Sequence, residues 1–142
     1  MLSLNNIEHY YYNNNDINSI NNNYNKILNN YIACFTSSVY IYNKTEKKVS
    51  NTNMILLKTF EILASGSLLL MPLSEEKYLE KIGIINNKNC ILLDFNKDLN
   101  EQINFILDNL EYINNIRYNG YLFGKNELNS DNKFIEFDKL IS

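Results

Sequence analysis

Residues 58–72 read KTFEILASGSLLLMP, and this stretch decides the predicted fold. Leu57, Phe60 and Ala64 recur at helical spacing, which predicts an amphipathic helix over 53–65. Gly66 follows directly, as the glycine that ends many helices does. Residues 67–71 are then almost continuously apolar, which is typical of a strand buried on both faces of a parallel sheet.

The same alternation of helices and strands extends on both sides of this stretch. Helices are predicted over roughly 16–29, 53–65, 74–82, 98–110 and 111–119, the last running into Gly120, and strands over 31–36, 67–71 and 89–95. Residues 37–52 are predicted to be a polar loop, with strand character only in its opening VYIY. This order predicts an α/β fold with a Rossmann-like, doubly wound parallel sheet.

One boundary divides the chain. Residues 1–15 are a low-complexity segment rich in Asn and Tyr, and residues 16–142 are predicted to form a single domain. The last eighteen residues are ambiguous, although Phe134, Phe137 and Leu140 have the spacing of a terminal helix.

Composition excludes several classes of protein. The net charge of -3 and the pI near 5.1 argue against a protein that binds the phosphate backbone of nucleic acids. No apolar run is long enough to span a membrane, and the N-terminus lacks the pattern of a signal peptide. Cys34 and Cys90 have no metal-ligand spacing and are predicted to be buried thiols, which fits a cytoplasmic protein.

The candidate site follows from the predicted sheet. Ligands of parallel sheets bind outside the carboxyl ends of the strands. The segment after strand 31–36 leads into the predicted helix N-terminus, whose free N–H groups suit a phosphate. The candidate residues there are Ser50, Asn51, Thr52 and Asn53. Lys58 and Glu61 lie on one side of the same helix, where a cation and a carboxylate could hold a phosphate and two sugar hydroxyls. Alternatively, Glu61 is only a solvated residue that pairs with Lys58.

Residues 58–70, KTFEILASGSLLL, resemble the K/R-x-F-E-x-x-A-x-G-x-x-L-L signature of the C-terminal domain of GT-B glycosyltransferases. The likeness is strongest to family 1 glycosyltransferase domains of the CgeB/YkvP-like group. It covers roughly residues 31–123, and residues 116–121 resemble the glycine turn that follows the last helix of that pattern.

This resemblance implies a function. A GT-B enzyme has two Rossmann-like domains around a cleft, and the C-terminal domain binds a nucleotide-diphosphate sugar, the donor substrate. Glu61 aligns with the Glu that binds the ribose hydroxyls, and Lys58 takes the place of a basic residue near the diphosphate. Residues 50–53 would donate hydrogen bonds to phosphate oxygens. The resemblance implies no further cofactor.

The sequence also departs from the pattern. Asn53 stands where many retaining members carry a second acid, and no His or Arg follows the glycine turn clearly. No segment resembles the acceptor domain, no Asp pair suggests a metal site, and the single His, His9, lies in the low-complexity segment. The catalytic residues stay unknown, and we expect activity only with an acceptor-domain partner or an N-terminal domain. The alternative is a degenerate, non-catalytic binding or scaffold domain.

Overall fold

The structure is a computed structural model that describes residues 28, 30–43, 48–55, 57–127 and 129. The strands and helices there are β1 (Ala33–Phe35), β2 (Val39–Asn43), β3 (Lys48–Met54), α1 (Leu57–Ala64), β4 (Leu68–Pro72), α2 (Glu76–Glu80), β5 (Ile91–Leu93), α3 (Leu99–Asp108) and α4 (Leu110–Glu127), with a 3-10 turn at Leu73–Glu75. The predictions for residues 1–15, for most of the helix over 16–29 and for the terminal helix lie outside the described residues, as does His9.

A parallel sheet of three strands lies at the centre of the described part, in the order β1-β4-β5. Ala33 is in register with Leu68, and Leu70 is in register with Ile91. The four residues 68–71 of the central strand β4 are all buried. The prediction of a strand buried on both faces is therefore confirmed.

Helices cover both faces of this sheet. The face that carries Leu69 and Met71 of β4 packs against side chains of α1 and α2, which are Ile62, Leu63 and Leu79. The face that carries Leu68 and Leu70 packs against side chains of α3 and α4, which are Ile106, Ile113 and Ile116. Successive residues of a strand point to opposite faces, so β4 alone supplies both cores. The chain is a mixed α/β protein, as the alternation of elements predicts.

The strand character predicted for VYIY is confirmed, but the prediction of a polar loop over the rest of residues 37–52 is wrong for residues 48–52. Strands β2 and β3 form a separate antiparallel two-stranded sheet, with Val39 opposite Met54 and an irregularity between Tyr40 and Tyr42. Helix α1 therefore begins at Leu57, after the hairpin, and not at residue 53. Ser, Asn and Thr favour helix caps locally, but the pairing of residues 48–54 with the VYIY segment overrides that preference.

The predicted stop signal of α1 is confirmed, and the structure adds a start signal for α3. Gly66 has a φ of 78°, and its N–H donates to the carbonyl oxygen of Leu63, which closes the end of α1. Asp98 precedes α3, and its side chain accepts a hydrogen bond from the N–H of Asn100. The lengths of both helices follow from these residues.

The prediction that a helix ends at Gly120 is wrong, because α4 continues to Glu127. A Cβ at Gly120 would lie 2.9 Å from the carbonyl oxygen of Asn89, and a Cβ at Gly124 would lie 2.6 Å from the backbone nitrogen of Ala64. Both glycines are buried in α4. They serve close packing of α4 against its neighbours rather than a turn.

The two thiols differ in burial. Cys90 is fully buried as predicted, whereas Cys34 is only partly buried. Burial, and secondly the negative charge of Glu76, raises the pKa of Cys90 to about 12. The Cys90 thiol is therefore protonated at neutral pH.

Among the described residues, no helix is both long enough and apolar enough to cross a membrane.

Candidate functional site

The carboxyl ends of β1, β4 and β5 meet at one edge of the sheet, because the three strands are parallel. We call this edge the carboxyl edge. Helix α1 ends three residues before β4 starts, at the opposite edge. Because α1 returns the chain from the carboxyl edge to the start of β4, its first turn lies towards the carboxyl edge. This is where α/β proteins bind ligands.

Two of the predicted site residues lie together on α1. Lys58 and Glu61 are both partly buried, whereas Thr59, Ile62 and Leu63 form the buried face of the helix. Lys58 and Glu61 therefore lie off the buried face, but the prediction that Leu57, Phe60 and Ala64 form that face is wrong, because Leu57 is 63% exposed and the other two are only partly buried. Their use in binding is a separate prediction, taken up below.

Lys58 also acts on β1 through its charge. Burial raises the pKa of the Cys34 thiol, while a hydrogen bond with Ser67 and the positive charge of Lys58 oppose that shift. The Lys58 ammonium group is thus close enough to Cys34, the middle residue of β1, to affect the pKa of its thiol. A positive charge here can attract an anionic group to this side of the sheet.

The other four predicted residues, Ser50, Asn51, Thr52 and Asn53, lie in β3. Asn53 is paired with Tyr40 across the hairpin, and α1 starts four positions later. The prediction that these residues form a helix N-terminus is therefore wrong, and with it the physical reason for phosphate binding there. The hairpin nevertheless leads directly into α1, so these residues stay close in the chain to Lys58.

Sequence reasoning missed a buried carboxylate at the carboxyl edge. Glu75 directly precedes α2, but its side chain does not cap that helix, and the residue is only 5% exposed. Its carboxylate accepts hydrogen bonds from the N–H of Ser38, with both oxygens 3.1 Å away, and from the Ser38 hydroxyl. The sequence signal that could have found Glu75 is an acidic residue three positions after the end of the buried strand β4, at the carboxyl edge.

These hydrogen bonds explain why a charge is tolerated in the interior. A buried carboxylate is costly unless donors satisfy it, and hydrogen bonds to an ionised acceptor are stronger than neutral ones. The loop after β1 is tied to β4 at a second point, because the N–H of Thr36 donates to the Leu70 carbonyl oxygen at 3.0 Å. Because the Ser38 N–H donates to the Glu75 carboxylate, it is not free to bind an anion.

The end of β5 has a structural network. The Asp94 N–H donates to Oε1 of Gln102 at 2.9 Å, and Nε2 of Gln102 donates to the Asp94 carbonyl oxygen at 3.0 Å. The Asp94 carboxylate accepts from the N–H of Asn96 and lies 3.6 Å from Nζ of Lys97. Asp94 thus shapes the turn that leads into α3. Within the described ranges, no group of three or more His, Cys, Asp or Glu side chains could hold a metal ion.

Two exposed phenylalanines add an apolar rim to the carboxyl edge. Phe35 ends β1 and Phe95 follows β5, and their ring centroids are 5.9 Å apart in an edge-to-face arrangement. The rings are 49% and 55% exposed, respectively. The edge therefore offers an apolar surface close to the charged groups of α1 and the turn after β4.

Comparison with protein family models, with curated proteins and with solved structures finds no match for this chain. The glycosyltransferase resemblance of residues 31–123 therefore stays a prediction.

Proposed function

We propose that this chain binds a nucleotide-diphosphate sugar as the donor-binding domain of a glycosyltransferase. The observation that carries the proposal is the conformation of residues 58–72. A helix with Lys58 and Glu61 off its buried face, a left-handed glycine and a central buried strand follow each other, which is the order that the resemblance to donor-binding domains implies. The finer assignment of the sheet as Rossmann-like belongs to this proposal.

Each charged group on α1 has a role in the proposal. The Glu61 carboxylate accepts hydrogen bonds from the two ribose hydroxyls, because an ionised carboxylate offers several acceptor positions and no donor. Lys58 and the first N–H groups of α1 attract the diphosphate. In glycosyl transfer these residues would position the donor and stabilise the leaving diphosphate, while an acceptor-domain partner would complete the site.

A calorimetric titration tests this proposal. UDP, GDP and their sugar conjugates are titrated into the wild-type chain and into Glu61→Gln, which keeps the side-chain size but loses the charge. Glu111→Gln is the matched control, because Glu111 is exposed and lies on α4, whose first half covers the opposite face of the sheet. We expect saturable binding that weakens about tenfold or more in Glu61→Gln and stays unchanged in Glu111→Gln.

A folded wild-type chain that binds none of these nucleotides at millimolar concentration would overturn the proposal. Equal weakening by both substitutions would also contradict it, since the loss of affinity would then not depend on the position of Glu61.

The second candidate is a degenerate, non-catalytic binding or scaffold domain. It is favoured by the position of residues 50–53, which lie in β3 and do not offer free N–H groups of a helix N-terminus to a phosphate. A folded chain that fails to bind nucleotides in the titration would support this candidate over the first.

A further inference from the structure

Glu75 has no role in the proposed function, yet its environment is unusual. The Glu75 side chain, in the turn after β4, accepts hydrogen bonds from Ser38, which lies in the loop after β1. Glu75 and Ser38 are 37 positions apart and only 5% and 7% exposed. We call this pair the Ser38–Glu75 contact.

The Ser38–Glu75 contact lies at the base of the hairpin. Ser38 immediately precedes β2, and β3 ends three residues before α1 starts. The hairpin is a hydrogen-bonded sheet of its own, separate from the β1-β4-β5 sheet. Its entry is therefore tied by Ser38 to the turn after β4, and its exit leads into α1.

We propose that Glu75 is a positioning residue for the ligand at the carboxyl edge. Its carboxylate holds the loop 36–38, and thereby the start of the hairpin, against the turn after β4 at the carboxyl edge. The part of this inference that concerns the ligand rests on the proposed function, whereas the part that concerns the hairpin does not.

The charge of Glu75 is needed for this role as well as its shape. Both donors of Ser38 point at the carboxylate, and an ionised carboxylate only accepts. A glutamine at position 75 can still accept from the Ser38 N–H with its oxygen and donate from its NH₂ group to the Ser38 hydroxyl oxygen, but it lacks the charge that strengthens hydrogen bonds to a carboxylate. Glu75→Gln therefore preserves volume but weakens both hydrogen bonds of the contact.

Hydrogen–deuterium exchange of the full chain tests the hairpin. Wild type is compared with Glu75→Gln and with the milder Ser38→Ala, which removes only the hydroxyl donor. Glu80→Gln is the control, because Glu80 is an exposed residue of α2. We expect exchange in residues 36–54 to rise about tenfold or more in the first two variants, with β4 and α3 unchanged, and no change in the control.

The same variants are then titrated with the nucleotide that the wild type binds most tightly. We expect affinity to fall by a similar factor in Glu75→Gln and Ser38→Ala, although neither residue contacts the ligand. Exchange that rises uniformly over the whole chain would overturn the inference, because Glu75 would then only stabilise the fold. Faster exchange confined to the hairpin with unchanged affinity would overturn the positioning role. If wild type binds no nucleotide, the proposed function fails, and exchange alone decides whether Glu75 holds the hairpin.

Discussion

Gly124→Ala should destabilise the protein, although helix propensity alone predicts the opposite. Gly124 lies inside α4, where replacement of glycine by alanine usually stabilises a helix by about 1 kcal/mol. In this structure the added methyl group would lie 2.6 Å from the backbone nitrogen of Ala64 and 2.7 Å from the Cβ of Leu63. Both distances are far below van der Waals contact, and neither atom can move without moving α1.

The size of the effect follows from these two opposing terms. Overpacking a well-packed contact costs about 1–3 kcal/mol, and the upper end applies because the clash involves backbone. After subtraction of the propensity gain, the free energy of unfolding should fall by about 2 kcal/mol. For a domain of this size we expect a decrease in Tm of about 8 °C.

Thermal and urea unfolding, followed by circular dichroism, measure this effect. Asn115→Ala is the control, because Asn115 is exposed on the same helix, and its stability should stay within about 0.5 kcal/mol of wild type. Gly120→Ala should cost less than Gly124→Ala, since its nearest contacts are 2.9 Å away and one is a movable Leu63 side chain. A Gly124→Ala protein as stable as wild type, or more stable, would refute the close approach of α1 and α4.

Three further predictions concern stability. Arg117→Ala should lower the free energy of unfolding in urea by about 1 kcal/mol, because Nε of Arg117 donates to the Gly66 carbonyl oxygen at 2.9 Å. Arg117→Lys lacks this Nε donor and should be destabilised by a similar amount. Asp98→Ala should cost about 1 kcal/mol through loss of the α3 cap, whereas Asp98→Asn should retain most of the stability. Stability should fall as pH rises from 9 towards 12, because the unfolded chain loses the Cys90 proton that the folded chain retains. The free energy of unfolding should fall by about 1.4 kcal/mol per pH unit in this range. An equally steep fall in Cys90→Ala would contradict the assignment of the effect to Cys90.

Local signals made a large part of the fold predictable. The continuous apolar run of β4 and the glycine at position 66 each act through neighbouring residues, and both are where the sequence predicts them. The placement of Lys58 and Glu61 on one helix follows from spacing alone. Such features can be predicted without knowing how distant parts of the chain pack.

The features that sequence reasoning missed depend on partners far away in the chain. Residues 50–53 have the composition of a helix start, and only their pairing with β2 makes them a strand. Gly120 stops no helix, because its conformation is helical and its role is contact with Asn89 and Leu63. Glu75 is buried because Ser38, 37 positions earlier, supplies its donors.

The central claim is that a nucleotide-sugar binds at the carboxyl edge beside α1. Backbone amide chemical shifts, recorded by NMR during titration with UDP or GDP sugars, test it most directly. The account predicts saturable shifts concentrated in α1, around Lys58 and Glu61, with α3 and the first half of α4 unaffected. Saturable shifts confined to another surface, or no shifts at all in the folded chain, would contradict it.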